Sequence, residues 1–239
     1  MDLRKLITKK RILFISLFVL LVLIANQLNF SKVIGSNQQY FTFFQFFGPI
    51  AGAFLGPVFG AISVLGAQLI EFIASGKAFD FVNLLRLAPM IFAAYYFGKF
   101  GVKSLKGALI PIVPLICMAL FMLHPIGGQA WYYSLYWLIP LIAFLFFKKR
   151  LFARSLGATF TAHAIGSTVW LYSIPMTVQQ WQALIPIVAY ERILFAAGIS
   201  VSFIVFNTVL AKLEHLLPSE IISIDYSYVL SLKALKLKI

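Results

Sequence analysis

GPIAGAFLGPVFGAIS, residues 48–63, is an eight-residue unit written twice. Its glycines fall at 48, 52, 56 and 60, four apart. Within helical backbone they therefore share one face and let a neighbouring backbone approach closely. Pro49 and Pro57 punctuate the same run. Apolar residues continue on both sides, from Phe41 to Ser75. One unbroken helix of that length would span roughly 50 Å at ~1.5 Å per residue, well beyond the ~30 Å hydrocarbon core of a bilayer. The helix must break, and Gly56-Pro57 is where the chain permits it. Two readings fit: a tightly packed pair of membrane helices, or a broken pair lining a solute cavity. The second is open because irregular backbone at membrane depth survives where protein or a water-filled cavity covers it.

The composition sets the frame for that hairpin. Of 239 residues, 62% are hydrophobic and 11% charged, and the mean hydropathy is +0.94. A soluble domain of this size cannot hide so much apolar surface, so the chain reads as an integral membrane protein. The net charge of +13 is better explained by membrane topology than by nucleic acid, since no stretch combines a soluble fold with a basic face. The lone Cys117 excludes an internal disulfide framework and a cysteine metal cluster. Arg4, Lys5, Lys9, Lys10 and Arg11 precede the apolar run 12–25 and imitate a signal peptide. No small-x-small cleavage site follows, so this run is read as a retained first span.

Apolar segments fall at about 12–30, 41–55, 57–75, 83–98, 107–123, 130–147, 157–175 and 184–211. Eight spans place both termini on one side; if the glycine hairpin dips in and returns, six remain. With a cytoplasmic N-terminus, the inner links carry Lys99, Lys103, Lys106, Lys148, Lys149, Arg150 and Arg154, with Lys212 and the tail beyond. The outer links hold Lys32 and Lys77, the asymmetry that the positive-inside rule requires. The fold expected is an all-α membrane bundle of six to eight helices over residues 1–212. A short basic cytoplasmic tail, 213–239, follows. In it Lys233, Lys236 and Lys238 interleave with leucines, a pattern suited to anionic lipid or to a docked partner.

Ionisable groups within membrane spans are costly, so their depth is informative. Glu71, Arg86, Glu191 and Arg192 all fall toward the outer face in this topology. Gln45, Gln68 and Asp80 lie nearby, and His163 sits near mid-depth. Together they outline a polar cavity open to the outside. Thr159, His163, Gly166, Ser167 and Trp170 recur at intervals of three and four, so one helical face carries a hydroxyl, an imidazole, a gap and an indole. The same residues also suit ordinary packing, and Arg86 is positioned to neutralise either Glu71 or Asp80. Trp131, Tyr132, Tyr133, Tyr136 and Trp137 follow Gly127-Gly128, while Trp170, Tyr172 and Trp181 surround Gln179, Gln180 and Gln182. An interfacial aromatic belt accounts for most of the rings. The amides, and Asn37, Gln38 and Gln39 before the hairpin, fit better with recognition of a flat, small metabolite.

FTFFQFFGPIAGAFLGPVFGAISVLGAQLIEF at 41–72, with RSLGATFTAHAIGSTVW at 154–170 as a later echo, resembles the substrate-binding S component of energy-coupling factor vitamin transporters. The basic first span and the outer link 31–40 extend the likeness over most of the chain as an arrangement. The resemblance implies capture of a vitamin, related micronutrient or metal ion from outside. It further implies delivery through a transmembrane coupling subunit driven by two cytoplasmic ATPases. No phosphate-binding loop of the glycine-rich, lysine-terminated kind is present in this chain, so energy has to come from a partner or a gradient.

Ala162-His163-Ala164-Ile165-Gly166 also resembles the histidine helix of rhomboid proteases. The serine in a Gly-x-Ser-Gly setting that such chemistry needs is missing, because Gly198-Ile199-Ser200 continues with Val201. There is no His-Glu-x-x-His zinc site either. The expectation is therefore a non-enzymatic membrane protein without cofactor or metal, partnered by lipid and a small solute. The solute contacts expected are Gln45, Glu71, Arg86, Trp131, Tyr133, His163, Ser167, Trp170 and Glu191, with Gly48, Gly52, Gly56 and Gly60 allowing the close packing that shapes the cavity. A self-driven transporter or channel, with Glu71 or Glu191 relaying protons or ions, is the alternative. A purely structural membrane protein would tolerate changes at Glu71 and His163.

Overall fold

The structure is a computed structural model that describes residues 9–32, 40–100, 112–214 and 222–230. Several sequence features lie outside the described residues: Arg4, Lys5, Asn37, Gln38, Gln39, Lys103, Lys106 and the tail lysines 233, 236 and 238. Helix α1 spans Lys9–Asn26. It leads into a two-stranded antiparallel ribbon, β1 Asn29–Lys32 with β2 Tyr40–Thr42, in what the sequence suggested was a plain outer link. Two short helices follow, α2 Phe44–Phe47 and α3 Ala51–Phe54, then α4 Pro57–Ala74, α5 Phe81–Leu85 and α6 Ala88–Lys99. The second half comprises α7 Ile112–Leu123, α8 Pro125–Gln129, a 3₁₀ turn Trp131–Leu138 running into α9 Ile139–Phe146, α10 Leu151–Ser173 and α11 Val178–Lys212. The molecule is predominantly helical.

Among the described residues, three helical runs are long and apolar enough to cross a membrane: α4, the continuous stretch Phe81–Lys99 through α5 and α6, and α11. Helix α1 has 18 residues but opens with Lys9, Lys10 and Arg11. Helix α10 has 23 residues but carries threonines, serines and a histidine, because α6, α7, α9 and α11 surround it. Phe44–Phe54, Ile112–Leu123 and Trp131–Phe146 are apolar but shorter.

The chain breaks at Gly56, which adopts φ 81° and ψ 160°. That region is open to glycine and strained for any residue with a Cβ, and Pro57 then starts α4 where its missing N–H costs nothing. The other glycines of the repeat act by contact. A Cβ on Gly52 would run into the Ala94 carbonyl oxygen, and one on Gly60 would lie 2.5 Å from the Gly52 Cα. One on Gly48 would lie 2.6 Å from the Met90 side chain. Gly56 has nothing within 4 Å, so its role is conformational, which corrects the expectation that all four serve packing. Gly98 of α6, which the repeat does not announce, completes the seam against the Gly52 backbone. Thus α3, α4 and α6 meet almost backbone to backbone.

At the end of the bundle holding the termini of α3, α6 and α11, residues 222–230 return along the helices. The Ser223 N–H donates to the Phe54 carbonyl at 3.0 Å, one of the acceptors stranded where α3 stops. The Asp225 N–H donates to Asn207 Oδ1 at 2.8 Å, and the Leu230 N–H to Thr208 Oγ1 at 3.0 Å. Ile222 is buried, and the Tyr228 ring packs 5.4 Å from that of Phe203. This part of the tail, expected from sequence to meet lipid or a partner, is a strap on the protein itself. Asn207→Ala removes its central acceptor and should cost about 1 kcal/mol. Hydrogen exchange should show faster labelling of the Asp225 amide without faster labelling of α4; uniform change in both would refute a local strap.

Candidate functional site

At the opposite end, α1, the ribbon, α2, α4, α5, α6, α10 and α11 enclose a cavity of about 490 Å³. Helices that alternate in direction bring the end of α1, the end of α4 and the start of α5 together there. Asn26, Asn29, Tyr40, Phe41 and Thr42 form one wall. The Thr42 hydroxyl donates to Asn26 Oδ1 at 2.9 Å, tying the ribbon to α1. Gln68, Glu71, Phe72 and Lys77 come from α4 and its exit, and Asn83 and Arg86 from α5 and its end. Helix α10 contributes His163, Gly166, Ser167 and Trp170, the face marked by their spacing, and α11 contributes Trp181, Leu184, Val188, Glu191 and Arg192.

Of the residues expected from sequence to contact a solute, Gln45, Glu71, Arg86, Tyr133, His163, Ser167, Trp170 and Glu191 all line this single cavity. Trp131 does not. It is 49% exposed and packs edge-on against Tyr132 at 5.9 Å. Tyr133 is buried, and two positions apart on any helical turn point in different directions, so Trp131 and Tyr133 cannot share the inward face. Gln179, Gln180 and Gln182 also face away. Gln180 instead forms a capping box with Thr177, accepting from the Thr177 N–H at 2.8 Å while its own N–H donates to Thr177 Oγ1 at 3.3 Å. That cap starts α11 at Val178, earlier than the apolar run suggested, and so brings Trp181 and Leu184 into the wall. Thr-x-x-Gln before an apolar run was the sequence signal for it.

The charges pair differently from the expectation. Glu71 takes Lys77 at 3.1 Å. Asp80 caps α5, accepting from the Asn83 N–H at 2.8 Å and from Asn83 Nδ2 at 2.7 Å. Arg86 is left with neither carboxylate. It donates from Nη1 to Asn83 Oδ1 at 3.1 Å, and its guanidinium lies 5.3 Å over the Trp170 ring. Arg192, 2% exposed, meets Glu191 at 3.4 Å. It also lies over the rings of Phe195 at 4.4 Å and Phe41 at 4.9 Å. Ser31 donates to the other Glu191 oxygen at 3.3 Å. The lining therefore holds Lys77, Arg86 and Arg192 against Glu71 and Glu191, an excess of one positive charge with His163 neutral.

His163 is held by protein at both nitrogens. Trp137 donates its indole N–H to Nδ1 at 3.1 Å, so in the neutral ring the proton resides on Nε2. Nε2 in turn lies 2.9 Å from the Tyr133 hydroxyl and 3.2 Å from Ser167 Oγ. Tyr133 and Ser167 are 3.3 Å apart. With Nε2–H donating to Tyr133 and Tyr133 to Ser167, the Ser167 hydroxyl is the proton this network offers the cavity. His163 thus orients its neighbours while its ring remains part of the cavity lining. Trp137→Phe keeps an aromatic side chain but loses the pyrrole half of the indole and its N–H, leaving a small cavity and a stranded buried acceptor, and should cost at least about 1–3 kcal/mol of stability. A thermal unfolding midpoint unchanged from the parent would contradict this network.

Five buried side-chain atoms have no hydrogen-bond partner among the described residues: Gln68 Oε1, Arg86 Nε, Trp170 Nε1, Trp181 Nε1 and Arg192 Nε. All five belong to residues that line the cavity. Buried polar groups are nearly always paired, so a cluster of unpaired ones around one space indicates a missing partner. The sequence reading counted Gln68 and Arg192 among the groups outlining the cavity without naming them as solute contacts, and left Trp181 between an aromatic belt and solute recognition.

No protein-family model and no solved structure matches the chain. It is similar to a protein named as uncharacterized, MJ0923, from Methanocaldococcus jannaschii. The two are 27% identical over an alignment of 233 residues that covers 89% of this chain and 76% of the relative.

Proposed function

We propose that the chain is a multi-pass protein of the cell membrane, with six to eight spans, that binds a small solute in this cavity for uptake. It acts as the specificity subunit of an importer of the energy-coupling factor type. The observation that carries the reading is that five buried polar atoms without a partner among the described residues all belong to side chains lining one cavity. A space of about 490 Å³ lies within the roughly 300–1,000 Å³ typical of small-molecule sites. Membrane residence is supported by the apolar exterior: Ile62, Ile70 and Ile73 of α4 and Ile193, Val201, Val205 and Val209 of α11 are exposed. The basic residues Lys99, Lys148, Lys149, Arg150 and Lys212 belong to the end away from the cavity. The positive-inside rule makes that end cytoplasmic and opens the cavity to the outside. The strap and the glycine seam lie at the cytoplasmic end, where a coupling subunit and two ATPases would act.

Native mass spectrometry of the tagged protein, extracted gently from its own cells, tests this reading. The expected spectrum contains the chain with a small molecule, a second membrane subunit and two ATPases. Uptake by the purified chain alone in liposomes, driven by a proton or sodium gradient, would replace the importer reading with a self-driven transporter.

A further inference from the structure

The unpartnered atoms are unequal in kind. Four are N–H donors, on Arg86, Trp170, Trp181 and Arg192, and one is an acceptor, on Gln68. A molecule that satisfies them must be rich in acceptor oxygens. Two of the donors are neighbours, since the Arg86 guanidinium lies over the Trp170 ring at 5.3 Å. Arg86 also has no carboxylate within ion-pair distance among the described residues, whereas Lys77 and Arg192 each have one. An uncompensated guanidinium in a partly buried, low-dielectric wall is costly unless an anion joins it. A guanidinium without a carboxylate suits an oxyanion, because hydrogen bonds to a charged acceptor are stronger than those to a neutral one, and the Trp170 ring holds that guanidinium at the cavity wall.

Resting on the uptake reading above, we propose that the solute is a small organic anion whose acidic group, a carboxylate or phosphate, docks on the Arg86–Trp170 corner. Gln68 Oε1 accepts from a donor elsewhere on the same molecule. The Arg192–Glu191 pair is internally neutral, so it recognises polarity in the solute without asking for a second negative charge. A phospholipid phosphate presents the same oxyanion chemistry, and the test separates the two sources.

The probe is a small-molecule extract of the source cells, split by anion exchange into anionic and non-anionic fractions. Each fraction is added to the purified, dialysed protein and the unfolding midpoint is measured. The anionic fraction should raise it, and titration of that fraction should show a shift at least tenfold less sensitive in Arg86→Gln, as expected for loss of a charge-assisted hydrogen bond of about 1.5–3 kcal/mol. Trp170→Phe keeps an aromatic face under Arg86 but loses the indole N–H and part of the ring, so it should weaken the response less than Arg86→Gln and still fold. It serves as the readout if Arg86→Gln does not fold. A shift produced by the non-anionic fraction alone would overturn the anion assignment and leave the uptake reading standing. Response to neither fraction would overturn both. An Arg86-dependent shift seen only in phosphatidylglycerol nanodiscs, absent in phosphatidylcholine, would assign the oxyanion to lipid and overturn the solute.

Discussion

Gly52→Leu is expected to abolish accumulation of folded protein. Its Cβ would occupy the place of the Ala94 carbonyl oxygen, with the Gly98 nitrogen at 3.0 Å, and backbone atoms cannot rotate aside as side-chain ends can. Overpacking ordinarily costs about 1–3 kcal/mol, and here α3, α4 and α6 would all have to separate. Gly56→Leu meets no atom within 4 Å but must hold φ 81°, a cost of about 1–2 kcal/mol. Gly66→Leu faces open space with no special backbone angle and should behave as the parent. Fluorescence-detected size exclusion from detergent extracts measures all three. The expected order is Gly66, then Gly56, then Gly52; equal yields across the series would show that the seam does not hold the hairpin.

Arg192→Met is expected to be the second most damaging change, lowering stability by about 3–5 kcal/mol. It removes a guanidinium that is 2% exposed and leaves the mostly buried Glu191 carboxylate, 14% exposed, without its ion-pair partner. Addition of Glu191→Gln should recover much of the loss, because the pair as a whole contributes little against its own desolvation. Thermal unfolding of the single and double variants forms the test. A double variant less stable than Arg192→Met would mean that the two residues do not neutralise one another.

The sequence made the break at Gly56-Pro57 legible, because Gly then Pro at the midpoint of an overlong apolar run leaves few alternatives. The polar face of α10 was legible too, since His163, Gly166, Ser167 and Trp170 keep helical spacing. Pairing of charges was not. Arg86 is three residues from Asn83 and six from Asp80, and local capping of α5 by Asp80 decided the outcome, a competition that a count of opposite charges does not show. The direction of Trp131 was hidden because every residue of the run 131–137 but Ser134 and Leu135 is a ring, so composition did not show which positions face inward, and the share of Gly98 in the glycine seam was hidden by its distance in sequence from the repeat. Orphaned atoms are invisible in any sequence, because whether Trp181 Nε1 finds a partner depends on elements far from it in the chain, Phe121 and Tyr133 among their residues.

The central claim is that a solute occupies the cavity. Its most direct test is an experimental structure of the protein purified from its own membranes without added ligand exchange. The account predicts non-protein density of an organic molecule within hydrogen-bond distance of Gln68, Arg86 and Trp170. A cavity filled by ordered waters alone, with all five atoms satisfied by them, would contradict it.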